Sequence, residues 1–312
     1  MSAVTARTER APRHFLDVTD LSVDELQRVL YFARRPIEAL GRPLDGKGAA
    51  LIFEKPSNRT RHSTEMAVVQ LGGHPVYTRA EEVGFDVREP VEDIARIMSG
   101  YHAVIAARVF EHSTIERLAA AATVSVVNLL SDRSHPLQAV ADVLTMQEAL
   151  GELTGRTVAW VGDYNNVARS LGEACSMLGA HLRFGCPPGF DADDAELERF
   201  LVLGAASVEQ HVRAEQAVDG ADAVHTDTWV SMGQEDEKAE RRAVFESYQV
   251  TEELMSHGAP GAMFLHCLPA YRGLEVAADV IDGPRSWVIR QGHNRMHAAR
   301  GVLAFLTGGR TS

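Results

Sequence analysis

Residues 48–73 read GAALIFEKPSNRTRHSTEMAVVQLGG, and this stretch decides what the rest of the chain must be. An apolar run over 49–53, short and closed by Glu54, Lys55 and Pro56, reads as a buried strand. Ser57 then suits a helix N-cap, with Pro56 just ahead of it, and residues 60–71 read as an amphipathic helix. A strand that runs into a capped helix start aims the first free N–H groups, around Asn58, Arg59 and Thr60, at one point. Those donors and the positive end of the helix dipole favour an anion there. Arg59 adds a planar guanidinium fork that matches a phosphate or carboxylate. Arg59 and Arg61 lie two residues apart, roughly 200° around a helix axis, so they cannot both face one ligand. Arg61 stands four before Glu65 and reads as its structural partner.

The 312 residues, 45% of them hydrophobic, are enough for two domain-sized cores. A formal net charge of -12 argues against nucleic acid or an anionic membrane as partner, and makes any anion site depend on local positive charge. Three cysteines, Cys175, Cys186 and Cys267, without C-x-x-C spacing, point to a reducing compartment; we expect a cytoplasmic protein. No stretch approaches the length needed to span a bilayer. The first twelve residues are polar, too short for a signal peptide, and read as a frayed tail.

Around the opening stretch, a first helix is expected over 21–39, capped by Thr19 or Asp20. Strands follow at 75–78, 103–107 and 124–127, with a loop over 79–89 and helices over 90–98 and 113–122. His135-Pro136 opens a long helix to Leu150, with Ser134 as its cap and Pro136 in its first turn. GELTGR, residues 151–156, reads as a hinge. A second series has strands at 157–161, 182–184, 223–225 and 263–266, helices over 166–178 and 194–203, and a long loop over 226–240. A last helix, 294–306, is long enough to reach back to the first domain. Short apolar runs alternating with helices make parallel β-α units. The expected fold is therefore α/β with two domains, each a parallel sheet flanked by helices: residues 1–150 completed by 294–312, and residues 151–293.

Parallel sheets of this kind bind ligands beyond the carboxyl ends of their strands. In the first domain those ends carry Ser57 with Arg59, then Arg108, then His135 with Gln138. Two cations, an imidazole and an amide on one rim suit a phosphorylated carbonyl compound: charge for the phosphate, donors for the carbonyl oxygen. In the second domain VGDYNNVARSLG, residues 161–172, sits between strand and helix like a dinucleotide fingerprint. The G-x-G-x-x-G spacing is absent, and the next strand ends on Phe184-Gly185-Cys186 with no acid for a ribose, which argues against a nicotinamide cofactor. Asparagines at a helix start instead suit both ends of an amino acid, because an amide donates and accepts. Asp227 would meet an ammonium, Ser231 a zwitterionic head, and Met232 a methylene chain.

Several of these segments resemble, in order, the aspartate/ornithine carbamoyltransferase family. Ser57-Asn58-Arg59-Thr60-Arg61 is similar to its S-T-R-T-R phosphate signature, departing at Asn58, and His135-Pro136-Leu137-Gln138 to its H-P-x-Q. Gly162 to Asn166 resembles G-D-x-N-N, Asp227 to Gly233 resembles D-x-W-x-S-M-G, and His266-Cys267-Leu268-Pro269 resembles H-C-L-P of the ornithine branch. Arg108 matches the arginine on the strand after the signature, and Arg295 the family's last phosphate-side arginine.

The resemblance implies transfer of the carbamoyl group of carbamoyl phosphate to the δ-amine of L-ornithine, giving L-citrulline and phosphate. It implies carbamoyl phosphate on Ser57, Asn58, Arg59, Thr60, Arg108, His135, Gln138, Cys267, Leu268 and Arg295, and ornithine on Asn166, Asp227, Ser231 and Met232. Cys267, Arg108, His135 and Asp227 are the implied catalytic residues. No metal or organic cofactor is implied, and the assembly implied is a homotrimer or a multiple of it. A carbamoyltransferase for putrescine or an acylated ornithine would share the first domain without the Ser231-Met232-Gly233 loop, and a non-catalytic homologue would only bind carbamoyl phosphate. The family's glutamine in the loop before the second helix is missing; Gly84 holds its place, so the contact with a neighbouring site is lost or passes to Arg88.

Overall fold

The apolar run after Gly48 forms strand β1 (Gly48–Phe53), buried along nearly its whole length, as a strand covered by helices on both faces must be. A computed structural model of the chain describes residues 11–230 and 235–310. Beside β1 lie β2 (His74–Arg79), β3 (His102–Arg108) and β4 (Ser125–Leu130), all parallel, in the order β2-β1-β3-β4. A second parallel sheet holds β5 (Thr157–Val161), β6 (His181–Gly185), β7 (Ser207–His211), β8 (Ala223–Thr226) and β9 (Met263–His266), in the order β7-β6-β5-β8-β9. In each sheet the strand order reverses beside the first strand, β1 with β3 and β5 with β8. Such reversals open crevices at the carboxyl ends of those strands. The Ser57 turn and Arg108 stand at the first crevice, the 162–166 turn and Asp227 at the second.

Helix boundaries differ from expectation where a cap or a proline decides them. The first helix is Val23–Arg34, capped by Ser22 in a capping box with Glu25 rather than by Thr19 or Asp20; Pro36 ends it, and a 3-10 turn, Ile37–Leu40, follows. At the Pro136–Leu150 helix the cap position is His135, without a side-chain cap bond. Ser134, expected there, turns its hydroxyl inward to Asp17 at 3.0 Å and Ser170 at 3.1 Å. The C-terminal helix begins at Val288, not Asn294, and runs to Thr307. Strand β7, unrecognised in the sequence, is a polar and only half-buried edge strand, so it lacks the apolar run that marks the others. The helix Lys238–Phe245 replaces the tail of the expected 226–240 loop.

The C-terminal helix does return to the first sheet, packing on Val23–Arg34, on Asn58–Gln70 and on Pro136–Leu150. Gly301 permits the approach, since a Cβ there would lie 2.6 Å from Val29 O.

A buried ion cluster joins the chain's beginning to the Asn166–Met177 helix. Arg169 Nη1 donates to Asp17 Oδ2 at 2.8 Å and lies 3.0 Å from Glu173 Oε1, which also accepts from Arg199 Nη2 at 2.7 Å. Burial, and next the Asp17 carboxylate, push Glu173 up to about 8 against the two arginines. Burial pushes Asp17 up too, but its hydrogen bond with Glu173 and the Arg169 guanidinium outweigh it and hold it at about 2. Glu173 thus keeps a proton in the folded protein that the unfolded chain releases above its ordinary value of 4.5. The unfolded state then binds fewer protons, so this stability is full below 4.5 and is lost as pH rises through about 8. We expect the melting temperature to fall from pH 6 to 9 and Glu173→Gln to flatten that fall by a few degrees, measured by calorimetry across the series.

Candidate active site

The two crevices face each other across a cleft of about 620 Å³ whose lining includes Arg59, Arg108, His135, Asn166, Asp227 and Cys267. On the first-sheet side, Ser57 occupies the N-cap position of the Asn58–Gln70 helix, but its hydroxyl donates to Thr60 Oγ1 at 3.0 Å instead of capping. The backbone donors at the helix start therefore keep their freedom to meet an anion. Thr60 is buried and also accepts from Arg295 Nη2 at 2.5 Å. Having taken two donors, its own hydroxyl proton is left to give. Asn58, Arg59, Leu268 and Arg295 line the same cleft. Gln138 does not; it sits one layer behind, with Oε1 accepting from Arg295 Nη1 at 2.8 Å and Nε2 donating to Asp142 Oδ1 at 2.7 Å.

Three arginines from distant parts of the chain thus converge on one wall, and two of them, Arg108 and Arg295, are shifted there. Burial, and next Arg295, bring Arg108 down to about 10. Burial lowers Arg295 as well, with Arg59 adding to it and Cys267 and Asp142 opposing. His135, 4% exposed, is driven well below its ordinary range by burial and then by Arg295 and Arg108. Its imidazole is therefore neutral at physiological pH, with Nδ1 buried and outside any hydrogen bond to the described residues.

On the second-sheet side the turn after β5 supplies two asparagines with separate jobs. Asn165 caps its helix, its Oδ1 accepting from Val167 N at 2.9 Å and Ala168 N at 3.1 Å. Its Nδ2 donates to Asp227 Oδ2 at 2.9 Å. Asn166 lines the cleft and donates from Nδ2 to Ser131 O at 2.7 Å, a bond across to the first sheet's last loop. Asp227 Oδ1 accepts from Thr228 N at 2.7 Å and from Cys267 Sγ at 3.0 Å. Burial and then Asp227 push the Cys267 thiol well up, so it stays a thiol and not a thiolate base. Leu268 holds a left-handed backbone, φ 60, with its N–H on His266 Nδ1 at 2.9 Å. Such strain in a non-glycine residue is found where a site dictates the backbone.

Ser231 and Met232 lie outside the described residues. The role of Asn165 was missed because the second asparagine of the pair carries the family match; a run of two asparagines at a helix start was the available signal. Arg61 pairs with Glu65 at 2.8 Å, as its spacing implies, and stacks 3.7 Å over Tyr77, away from the cleft. Arg88 donates to the carbonyls of Glu81 and Glu82 in its own loop and is absent from the cleft lining.

Asp227, His266 and Cys267 present ligand atoms within 4.8 Å of one another. Cys267 Sγ donates to Asp227 Oδ1 and His266 Nδ1 accepts from Leu268 N, and the raised thiol opposes the ionised form that a metal needs. His293 and His297 stand four residues apart, a spacing that would suit a pair of metal ligands on a helix. His297 is lowered by burial and next by Arg300 and Arg290, a cationic setting unsuited to a metal ion.

Fold and cleft define a two-sheet α/β enzyme that sets an anion-binding wall against a carboxylate-and-amide wall. Family models described as aspartate/ornithine carbamoyltransferase match the chain twice: the carbamoyl-P binding domain at residues 13–148 and the Asp/Orn binding domain at residues 154–306. The ornithine carbamoyltransferase of Thermus thermophilus is 46% identical over 297 residues, 95% of this chain and 97% of that protein. The anabolic ornithine carbamoyltransferase of Pyrococcus furiosus is 43% identical over 307 residues, 96% of this chain and 98% of that one. A solved structure of the Pyrococcus furiosus ornithine carbamoyltransferase matches with a TM-score of 0.91 at 42% identity, covering 98% of this chain and 100% of that one. The chain belongs to the aspartate/ornithine carbamoyltransferase family.

The two neighbouring arginines divide their work by geometry. Arg59→Ala should weaken phosphate binding at least tenfold, about the cost of a lost charge-assisted bond. Arg61→Ala, which removes an exposed pair and a ring contact, should leave binding within about twofold and slightly lower the melting temperature. Titration of both folded variants with inorganic phosphate checks this; equal losses would refute the division.

Proposed function

We propose that the chain is an ornithine carbamoyltransferase: it moves the carbamoyl group of carbamoyl phosphate to the δ-amine of L-ornithine, giving L-citrulline and phosphate. The observation that carries this reading is the facing of two walls, Arg59, Arg108, Arg295 and neutral His135 on one, Asp227, Cys267 and Asn166 on the other. In this reading residues 1–150 with 294–312 form the carbamoyl-phosphate half and residues 151–293 the ornithine half.

Phosphate would sit at the Asn58 helix start among Ser57, Asn58, Arg59, Thr60 and the two buried arginines. The carbamoyl oxygen would face His135, Arg108 and Thr60, groups that donate to an oxyanion, with Gln138, Cys267 and Leu268 shaping the rest of the carbamoyl subsite. Ornithine's α-ammonium and α-carboxylate would be held by Asn166 and the Ser231 loop, its chain by Met232, and its δ-amine near Asp227 and Cys267. The amine lone pair forms the C–N bond, the tetrahedral carbon collapses with cleavage of its bond to the phosphate oxygen, and the departing phosphate takes the amine's proton. His135, neutral at neutral pH, donates a hydrogen bond from its one ring N–H but is no general acid, so its part is orientation and hydrogen bonding. Cys267, kept as a thiol, orients Asp227 and does not act as the base.

A trimer or a multiple of it, a cytoplasmic setting and a place in amino-acid biosynthesis complete the reading. The anabolic name carried by the Pyrococcus furiosus relative supports the last of these.

The test is an assay of carbamoyl product with carbamoyl phosphate and four amines over a pH series. Ornithine should win. Putrescine lacks the carboxylate and would leave buried polar groups unpaired at about 1–3 kcal/mol each, so it should react orders of magnitude more slowly. Lysine places its amine one methylene too far, and aspartate brings a carboxylate toward Asp227; both should be poor. Activity should rise toward alkaline pH, because a δ-amine with a lysine-like pKa of about 10.4 must deprotonate first. His135 adds no acid limb, and Arg108, at about 10, keeps its charge until that pH is passed. Putrescine equal to ornithine in kcat/KM would overturn the assignment, and no turnover with any amine would favour a binding protein.

A further inference from the structure

Beneath the cleft lies a buried polar layer centred on Asp142, a residue outside the cleft lining. Asp142, one turn after Gln138 on the Pro136–Leu150 helix, is fully buried. Its Oδ1 accepts from Gln138 Nε2 at 2.7 Å and from Gln291 Nε2 at 2.6 Å. A carboxylate oxygen offers no hydrogen, so both glutamines must turn their NH2 ends toward it and their carbonyl ends away. Gln138 accordingly gives Oε1 to Arg295 Nη1 at 2.8 Å, and the other end of that guanidinium reaches Thr60 Oγ1 at 2.5 Å. Gln291 gives Oε1 to the backbone N–H of His266 at 2.9 Å, the residue before Cys267. The second hydrogen on Gln291 Nε2 faces His225 Nε2 at 3.0 Å, while His225 Nδ1 faces Thr226 O at 3.1 Å, which places that ring's proton on Nδ1. Neither glutamine can flip without opposing donor to donor.

We propose that Asp142 is a positioning residue for the transfer. Through Gln138 it aims Arg295, and through Gln291 it sets the His266–Cys267 turn, so one buried carboxylate holds both halves of the cleft in register. This rests on the carbamoyl-transfer reading and adds to it a residue that touches neither substrate. A buried polar group retained only for stability would be indifferent to which way the two amides point. Here the direction of each amide decides whether Arg295 and the Cys267 turn meet an acceptor or a donor.

Transfer by the unaltered protein is measured first; its failure would sink the reading itself, and the proposal with it. If it holds, three variants judge Asp142 alone by the two Michaelis constants, kcat and melting temperature. Asp142→Leu removes the shared acceptor and should raise both KM values roughly tenfold or more. Asp142→Asn can keep its Oδ1 for both amides and puts its NH2 only where Oδ2, buried and without a hydrogen bond to the described residues, now lies, so both constants should stay within about threefold. Gln291→Met keeps the volume but breaks only the arm to the His266–Cys267 turn; it should raise the ornithine KM roughly tenfold and, because Arg295 keeps its aim, raise that for carbamoyl phosphate, whose subsite the turn borders, by clearly less. The Asn and Met variants decide the matter even if the Leu variant fails to fold. A lowered melting temperature with unchanged constants in Gln291→Met, equal shifts of both its constants, or Asp142→Asn as damaging as Asp142→Leu would each overturn the proposal.

Discussion

The cleft depends on a repulsion built into it. Arg59, Arg108 and Arg295 come from a helix start, a strand end and the C-terminal helix, and the fold forces them onto one wall while removing much of the water that would screen them. In a medium less polarisable than water, like charges a few ångströms apart cost several kcal/mol. Burial first, and a neighbouring guanidinium after it, lower Arg108 and Arg295, and an anion on that wall relieves both. A protein with a net charge of -12 cannot draw anions by its overall field, so this local concentration of cation has to do it. The same wall decides the state of His135. Burial first, and then the Arg295 and Arg108 guanidiniums, keep this imidazole a neutral hydrogen-bonding group.

The opposite wall is governed by the reverse sign. Asp227 accepts from Asn165, Thr228 and Cys267, so its position is fixed from three directions and its free lone pairs are few. In the proposed reading, a carboxylate so placed would hold a cationic amine near the arginine wall without releasing it into that wall's repulsion. The thiol beside it is kept protonated by burial and then by the Asp227 carboxylate, which makes Cys267 a donor to Asp227 in place of a nucleophile or base. In the proposed reading the two walls would specialise: one would tolerate negative charge on the leaving group, the other would steer an amine that must shed its own proton.

Much of this was legible in the chain because local signals and periodicity coincide there. The 48–73 stretch gives strand, turn and helix in the predicted order, and the Arg61–Glu65 pair follows from spacing alone. Alternation of short apolar runs with helices sufficed for two parallel sheets, including the return of the last helix. What escaped notice was decided by contacts far apart in sequence. Ser134 reads as a cap until Asp17 and Ser170 claim its hydroxyl. Gln138 reads as a rim residue until Asp142 and Arg295 pull it back a layer. β7 has no apolar run because it is an edge, and Asn165 gives no sign locally that Asp227, dozens of residues later, needs holding.

A single helix ties the two walls together. Asn166–Met177 opens with Asn166 in the cleft and bonded to Ser131 O, and one turn later places Arg169 on Asp17 and Ser170 under the backbone N–H of His135 at 3.0 Å. Positions separated by three and four residues lie on one helical face, so these contacts fall on one side of the helix, the side turned to the first sheet. Because Asn166 and Ser170 belong to the same rigid rod, the asparagine cannot shift along the cleft without disturbing the bond under His135. The anion wall and the amine wall are thereby held at a set distance by backbone geometry, and the chemistry between them inherits that distance instead of having to create it.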